Sequence, residues 1–212
     1  MHVLSLVPAF AGLAAALTIP GAGLESRQTT TAPASVSLAG ITYAGSGCAA
    51  SSLGAAALAK PGVIPVPRKV FVAKSGENNT RVAETRVNCQ TTISLNHTAG
   101  WQYSVSEADY YGRVVLALGA EAISKTTYYF SGNTAQLSKQ YYFDGPFNGI
   151  YFRNDRFDTG TRLWSPCGSG AMLNINTEVR VAPKSGMTSS KPASMEGYHL
   201  LGDQIEVIWK KC

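Results

Sequence analysis

Hydrophobic and polar residues alternate along several segments of the 212-residue chain. In the segment 173–181 the odd-numbered residues are mainly apolar, and the even-numbered residues between them are all polar. The segments 101–106 and 204–210 show the same alternation, which only Ile208 interrupts. A period of two places successive side chains on opposite faces of a strand, one face buried and the other in water. The pattern therefore predicts a sheet.

Less regular strands are expected elsewhere, separated by turn-forming glycine, proline, asparagine and serine residues. These segments are 36–43, 70–73, 89–95, 113–118, 126–130 and 136–143. Only the alanine-rich segment 49–60, which ends at Pro61, predicts a helix. After a flexible leader over 24–34, the short strands indicate one all-β domain over 35–212, folded as an antiparallel β-sandwich or jelly-roll.

The N-terminal segment has the pattern of a signal peptide. An apolar run over 3–17 carries no charged side chain and is followed by a stretch rich in glycine and proline. We expect a signal peptide over 1–23, with cleavage after Ala22 or Gly23, or earlier after Ala16. No other stretch reaches the length that a membrane-spanning helix needs, so no transmembrane segment is expected in the mature chain. This predicts a secreted, extracellular protein.

Four widely spaced cysteines, Cys48, Cys89, Cys167 and Cys212, fit two disulfides in an exported chain. Four cysteines allow three pairings. We favour Cys48–Cys89 and Cys167–Cys212, because antiparallel strands would bring the start of one strand beside the end of the other. Each bridge would close a loop of about 40 residues and stabilise the fold by about 3–4 kcal/mol. Zinc ligation would need closely spaced pairs of cysteines, which the sequence lacks.

Two sequons, at Asn78 and Asn96, predict N-glycosylation of a secreted glycoprotein. The formal net charge is +5. The basic residues are scattered rather than clustered, which argues against nucleic acid as a partner. A mild positive excess could favour anionic cell-wall polymers or membrane surfaces. The sequence leaves the oligomeric state open.

Eight short motifs, in order along the chain, resemble one family of secreted proteins. They are 45–48 (GSGC), 86–90 (RVNCQ), 101–103 (WQY), 127–132 (TYYFSG), 143–146 (FDGP), 164–168 (WSPCG), 174–177 (NINT) and 209–212 (WKKC). The family, mostly fungal with bacterial members, is known as domain-of-unknown-function family 4360. Ala49 stands where the family usually has proline, and Val87 where it has a basic residue. The resemblance covers roughly 39–212 and implies secretion, a β-rich fold and the four-cysteine framework, but no catalytic residue.

Nucleophilic catalysis has few candidate residues in this sequence. The mature chain has two histidines: His97, expected at an exposed strand end within a sequon, and His199. No G-x-S-x-G motif is present to place a serine for attack, and all cysteines are expected in disulfides. Metal-binding motifs and phosphate-binding glycine loops are also absent from the sequence. We therefore predict no catalytic residue, no metal site and no cofactor.

Paired carboxylates are the remaining route to catalysis. Glu107 and Asp109 should share one face of a strand, with carboxyl groups about 6–7 Å apart. Catalytic acids usually face each other across a cleft, so this pair is a weak glycosidase signal. Asp144 is expected in a turn, and Asp155 and Asp158 in a polar loop, as turn formers or solvated charges.

Aromatic residues crowd the middle third of the chain, often as adjacent pairs. Adjacent side chains of a strand point to opposite faces, so one ring of each pair must leave the face that its neighbour occupies. Such tyrosines could stack on sugar rings at the surface, unless loops or the leader cover them. The candidates for an aromatic binding surface are Tyr110, Tyr111, Tyr128, Tyr129, Tyr141 and Tyr142.

These observations favour a non-catalytic extracellular module that contacts cell-wall polysaccharide or another extracellular surface. The alternative is a secreted polysaccharide hydrolase or lyase, which would need two converging carboxylates in a cleft. A third class, a secreted effector or toxin, has a target that the sequence does not identify.

Overall fold

The computed structural model describes residues 32–54, 58, 62–66, 71–76, 82–168, 170–186, 192–198 and 203–212. The predicted signal peptide and most of the predicted leader lie outside these residues. In the described ranges the regular structure is strand throughout, apart from one 3-10 turn at Val82–Glu84. The same ranges contain no helix long and apolar enough to span a membrane. The all-β prediction is therefore confirmed.

Within the described residues, twelve strands form two antiparallel sheets. They are β1 (Val36–Ala44), β2 (Ser51–Leu53), β3 (Val63–Val66), β4 (Phe71–Ser75), β5 (Arg86–His97), β6 (Trp101–Leu116), β7 (Ala120–Phe130), β8 (Gln136–Asp144), β9 (Phe147–Arg156), β10 (Met172–Pro183), β11 (Ala193–Tyr198) and β12 (Asp203–Lys211).

The first sheet has the strand order β2-β1-β5-β10-β7-β8. Its strands alternate regularly, and β7 has a buried residue at every second position. The inward side chains, such as Ile93, Phe130 and Ile175, are almost completely buried and form the core with the second sheet. The outward side chains of β5, β10, β7 and β8 are mostly polar.

The second sheet is built around the long strand β6. Glu107 and Ala108 pair with both β12 and β9, and the segment 111–115 pairs with both β11 and β9. Because a strand has two edges, β9 lies on one edge of β6, and β12 and β11 follow one another along the other. On the far side, β3 pairs with β12 and β4 pairs with β11.

A β-bulge in β6 explains why its sequence suggested two separate strands. The pairing shifts between Glu206 and Val207, so Ser106 is the extra residue on β6. The bulge changes the phase of alternation, and both Val105 before it and Ala108 after it face the core. The predicted strands 101–106 and 113–118 are therefore parts of one 16-residue strand.

Both predicted disulfides are confirmed. Cys48, just after β1, is bonded to Cys89 on the neighbouring strand β5, with Cα atoms 5.4 Å apart. Cys167 is bonded to Cys212 after β12, with Cα atoms 5.9 Å apart. Between Cys48 and Cys89 the chain leaves the first sheet, contributes β3 and β4 to the second sheet and returns as β5.

The prediction of a helix over 49–60 is wrong where the structure describes this segment. Ser51–Leu53 forms β2, which pairs with Tyr43 and Ile41 of β1. The edge of β1 offers backbone donors and acceptors, and pairing with them outweighs the helical preference of nearby alanines. Residues 55–57 and 59–61 lie outside the described residues.

Candidate binding surface

The adjacent tyrosines do point to opposite faces, and this divides the six candidates. Tyr110 and Tyr128 are only 4% and 1% exposed, and their hydroxyl oxygens lie 2.6 Å apart in the core. These two residues therefore cannot belong to an exposed aromatic surface, because their side chains point toward the opposite sheet. Tyr111 and Tyr129 face outward, but on different sheets.

The third pair lies on the edge strand β8. Tyr141 is half-buried and faces inward, whereas Tyr142 is 70% exposed. The Tyr141 hydroxyl donates a hydrogen bond to the carbonyl of Asn154, 3.2 Å away. Burial raises the pKa of Tyr141 to about 12, and the nearby Asp155 adds to the shift. Of the six tyrosines, Tyr129 and Tyr142 share the outer face of the first sheet.

A buried hydrogen-bonded chain links the two sheets. The Tyr128 hydroxyl donates to Asp155 Oδ2 at 2.7 Å, so the Tyr110 hydroxyl is the donor in its contact with Tyr128. Burial is the main cause that raises the pKa of Tyr128, and the contacts with Tyr110 and Asp155 raise it further. The Tyr128 hydroxyl therefore stays protonated and holds Asp155 inside the sandwich by its hydrogen bond.

Arg153 is the second charged group in this part of the core. Its guanidinium lies 4.2 Å from the centre of the Tyr110 ring and 5.1 Å from that of Tyr141, and it donates to Thr126 Oγ1. Arg153 Nε and Nη1 and Asp155 Oδ1 have no hydrogen-bond partner among the described residues. The charged groups of this cluster are shielded from solvent, because Arg153 is 3% exposed and Asp155 is fully buried.

The expectation that Asp155 lies in a polar loop is wrong. It lies on β9, whose pattern is inverted: Arg153 and Asp155 point into the core, whereas Ile150 and Phe152 are 75% and 56% exposed. A rule that apolar side chains face the core would therefore assign the wrong face of β9 to the core. Asp158 is exposed in a turn after β9, as expected.

The outer face of the first sheet carries two rows of aligned side chains, which we call the polar rows. Each row crosses the sheet at one register position, and apart from Ala44 every member is an uncharged side chain that can hydrogen-bond. The first row is Ser52, Thr42, Thr92, Asn174, Tyr129 and Gln136, and the second is Ala44, Gln90, Asn176, Thr127 and Ser138. With strands about 4.8 Å apart, the first row spans about 24 Å.

Hydrogen bonds within the polar rows fix their side chains. Asn174 Oδ1 accepts from Thr92 Oγ1 at 2.8 Å and from Gln90 Nε2 at 3.4 Å, and its amide nitrogen donates to Ser131 Oγ at 2.9 Å. The Tyr129 hydroxyl donates to Gln90 Oε1 at 3.2 Å. The central part of the surface is therefore organised before any ligand binds.

Charged groups lie beyond the polar rows, and several of them face a group of opposite sign. Arg180 does not, because it lies directly opposite Arg86 on β5 and Ile123 on β7. Arg86 forms an ion pair with Glu178 at 2.6 Å, and Lys125 lies directly opposite Glu178 on the neighbouring strand. Lys184 lies 3.2 Å from Asp144. Asp144, expected in a turn, is the last residue of β8. The net charge of this face is consequently small, which gives little long-range attraction for a charged polymer.

The outer face of the second sheet is different in character. The rings of Tyr111 and Phe152 lie 4.8 Å apart, and Ile150 is exposed beside them. Glu107 and Asp109 share one face of β6, as predicted, and both accept a hydrogen bond from the Nδ2 group of Asn154. These carboxylates lie on an open sheet face, where their hydrogen bonds with Asn154 connect β6 to the neighbouring strand β9.

The sequence placed His97 at an exposed strand end, which is wrong. His97 is 7% exposed, and its ring makes edge contacts with Tyr103 and Trp209, 6.0 and 5.0 Å between ring centres. The preceding Asn96 is exposed, as glycosylation would require. Asn78 and His199 lie outside the described residues. Within the described ranges no three His, Cys, Asp or Glu side chains could together hold a metal ion.

Sequence reasoning named Tyr129 and missed the rest of the polar rows. The signal was present in the strand β5, whose outward residues after Arg86 are Asn88, Gln90, Thr92, Ser94 and Asn96. A merely solvated face usually includes several lysines and glutamates, whereas this one has amides and hydroxyls at every outward position after Arg86. The register that aligns it with β10 and β7 could not be read from the sequence.

The fold and its bridges define a class: a secreted two-sheet β-sandwich with two disulfides and a polar outer face. The chain belongs to the DUF4360 family, described as a domain of unknown function, whose model matches residues 34–212. Membership of this family, which the eight motifs indicated, is thus confirmed. A relative from Arthroderma benhamiae, an uncharacterized secreted protein, is 36% identical over 150 residues, which is 70% of this chain and 60% of the relative. The chain thus spans about 60% of that relative's length.

The relative and the disulfides place the protein outside the cell. Among solved structures, the enzymatically active domain of bacteriophage CBA120 tailspike protein 4 is similar with a TM-score of 0.26 and 13% identity, over 71% of this chain and 19% of that one. Broad Bean Stain Virus gives a TM-score of 0.24 and 10% identity, over 86% and 91%. Similarities at this level carry no argument about function.

Proposed function

We propose that the protein is a non-catalytic extracellular module that binds polysaccharide through the outer face of its first sheet, which carries the polar rows. The observation that carries the proposal is the pair of polar rows, which are aligned in register, uncharged and held by their own hydrogen bonds. Family membership and secretion are compatible with this role, and neither specifies a ligand.

The chemistry of the polar rows suits sugars. Glycans present hydroxyl groups that both donate and accept, and amide and hydroxyl side chains can do the same. A tyrosine such as Tyr129 adds an apolar ring for stacking and a hydroxyl that tolerates water. Because the side chains are already ordered, binding would cost less conformational entropy than binding to a mobile surface.

A polysaccharide hydrolase or lyase is the alternative, and the carboxylates give it less support. Glu107 and Asp109 lie on the same strand and share the amide of Asn154, and Glu107 also pairs with Arg156 at 3.3 Å. A glycosidase pair acts from opposite sides of the scissile bond. Release of reducing sugars from a retained polysaccharide, abolished by Glu107→Gln, would support the alternative.

Co-sedimentation with insoluble chitin, β-glucan and cellulose tests the proposal. We expect the wild-type protein to be retained by one of them and Tyr129→Ala to be retained less. Phe152→Ala removes an exposed aromatic ring from the opposite face and should be retained like the wild type. Equal thermal unfolding of the variants would show that both are folded. No retention by any polymer, or equal losses for both variants, would contradict the proposal.

A further inference from the structure

Two outward tyrosines mark the ends of a strip on the outer face of the first sheet. Tyr129 of β7 lies directly opposite Gln136, and Tyr142 lies six residues further along β8. At about 3.3 Å per residue, the two residues are about 20 Å apart along the strand direction. Between them lie two cross-strand pairs, Thr127 with Ser138 and Lys125 with Gln140. We call the following six residues the β7–β8 strip: Tyr129, Thr127, Lys125, Ser138, Gln140 and Tyr142.

Both ends of the strip are ordered by hydrogen bonds. The Tyr129 hydroxyl donates to Gln90, and the Tyr142 hydroxyl accepts from the amide of Gln140 on the same strand. In the middle, the hydroxyls of Thr127 and Ser138 lie 2.9 Å apart. Because Gln90 lies on β5, the Tyr129 ring leans across β10, and the strip leads from this ring past a set of hydroxyl and amide groups to the ring of Tyr142.

We infer that the ligand is a neutral, linear glycan that crosses the β7–β8 strip obliquely, with sugar rings on Tyr129, which leans over β10, and on Tyr142 of β8. This inference rests on the proposed function and specifies the class of ligand and its direction. A linear chain fits because the two rings are separated along the strands, with polar groups suited to sugar hydroxyls between them. A compact ligand could reach only one of the rings.

The charges around the strip argue for a neutral glycan. Lys125 is the charged residue of the strip, and Glu178 lies directly opposite it on β10. Asp144, at the end of β8, is paired with Lys184. The described outer face of this sheet carries four cationic and three anionic side chains, namely Arg86, Lys125, Arg180 and Lys184, and Glu121, Asp144 and Glu178. An anionic polymer would therefore meet nearly as many negative as positive groups. Its attraction would therefore be weak and would disappear with added salt.

Calorimetric titration with neutral oligosaccharides of increasing length tests the inference. The series would be cello-, laminari- and chito-oligosaccharides, from disaccharide to hexasaccharide. We expect affinity to rise with length until the ligand reaches both rings, and then to level off. Tyr142→Ala should weaken binding of the longest ligand about tenfold and remove the dependence on length. Phe152→Ala is the matched control on the other sheet and should bind as the wild type does.

The outcomes separate the inference from the proposed function. If a polysaccharide is bound but Tyr142→Ala binds the hexasaccharide as tightly as the wild type, the inference is wrong and the proposed function stands. The same holds if binding requires an anionic polymer such as polygalacturonate and is lost at high salt. If the protein binds no polysaccharide of either kind, both are wrong. Length-dependent, salt-insensitive binding that Tyr142→Ala weakens supports both.

Discussion

Tyr128→Phe removes one atom from the buried hydrogen-bonded chain and keeps its packing. The Tyr128 ring lies 4.9 Å from that of Phe157 in an edge contact, and phenylalanine can occupy the same space. The hydroxyl is the donor to Asp155 Oδ2 and the acceptor for Tyr110. The substitution therefore tests the hydrogen bonds themselves, without opening a cavity of any size.

The expected loss follows from the charge of the acceptor. A hydrogen bond to a charged group contributes about 1.5–3 kcal/mol, and the loss of a second partner at Tyr110 adds to it. We expect Tyr128→Phe to lower the free energy of unfolding by about 2–3 kcal/mol. For a domain of this size, Tm should fall by about 4–12 °C. In an Asp155→Asn background the acceptor is neutral, and the same substitution should cost only about 1 kcal/mol.

Urea denaturation, followed by fluorescence and checked by calorimetry, measures these values. Tyr142→Phe is the control, because its hydroxyl is removed at an exposed position and should change stability by no more than about 0.5 kcal/mol. A Tyr128→Phe protein as stable as the wild type would refute the reasoning. So would an equal loss in the wild-type and Asp155→Asn backgrounds, because the charge of Asp155 would then be irrelevant.

Three further predictions concern pH, the bridges and modification. Burial raises the pKa of Tyr103 and of Tyr128 above the value of about 10 of an unfolded tyrosine. Stability should therefore be complete below about pH 10 and fall as pH rises further, which denaturation curves at several alkaline pH values would show; a constant midpoint would contradict it. Replacing Cys167 and Cys212 by alanine should cost about 4 kcal/mol in the chain-entropy model, and unchanged urea midpoints would argue against this. We predict that Asn96 is glycosylated, so Asn96→Gln should remove an endoglycosidase-sensitive shift in gel mobility, and a shift that persists in full would assign the glycan elsewhere.

The sequence predicted strands well where alternation matches burial. The segment 173–181 lies within β10, and 204–210 lies within β12, both with the expected side chains inward. β9 could not be predicted in this way, because its inward positions include Arg153 and Asp155 and its outward positions include Ile150. Buried charges reverse the usual pattern, so hydrophobicity alone gives no strand signal there.

The candidate surface depends on register, which local sequence does not specify. Thr92, Asn174 and Tyr129 are far apart in the chain and become neighbours because β5, β10 and β7 pair at one register. A shift by one residue would turn all three side chains toward the core. The sequence identified Tyr129 as an outward residue, and only the paired strands show what surrounds it.

The Cys48–Cys89 bridge joins the two ends of the long segment that visits the second sheet. A protease that cut this segment would leave two fragments that are still covalently joined, with β1 still paired to β5. The cut protein would run as one band on a non-reducing gel and as two after reduction. The bridge therefore keeps β1 and β5 together even when the segment between them is cut.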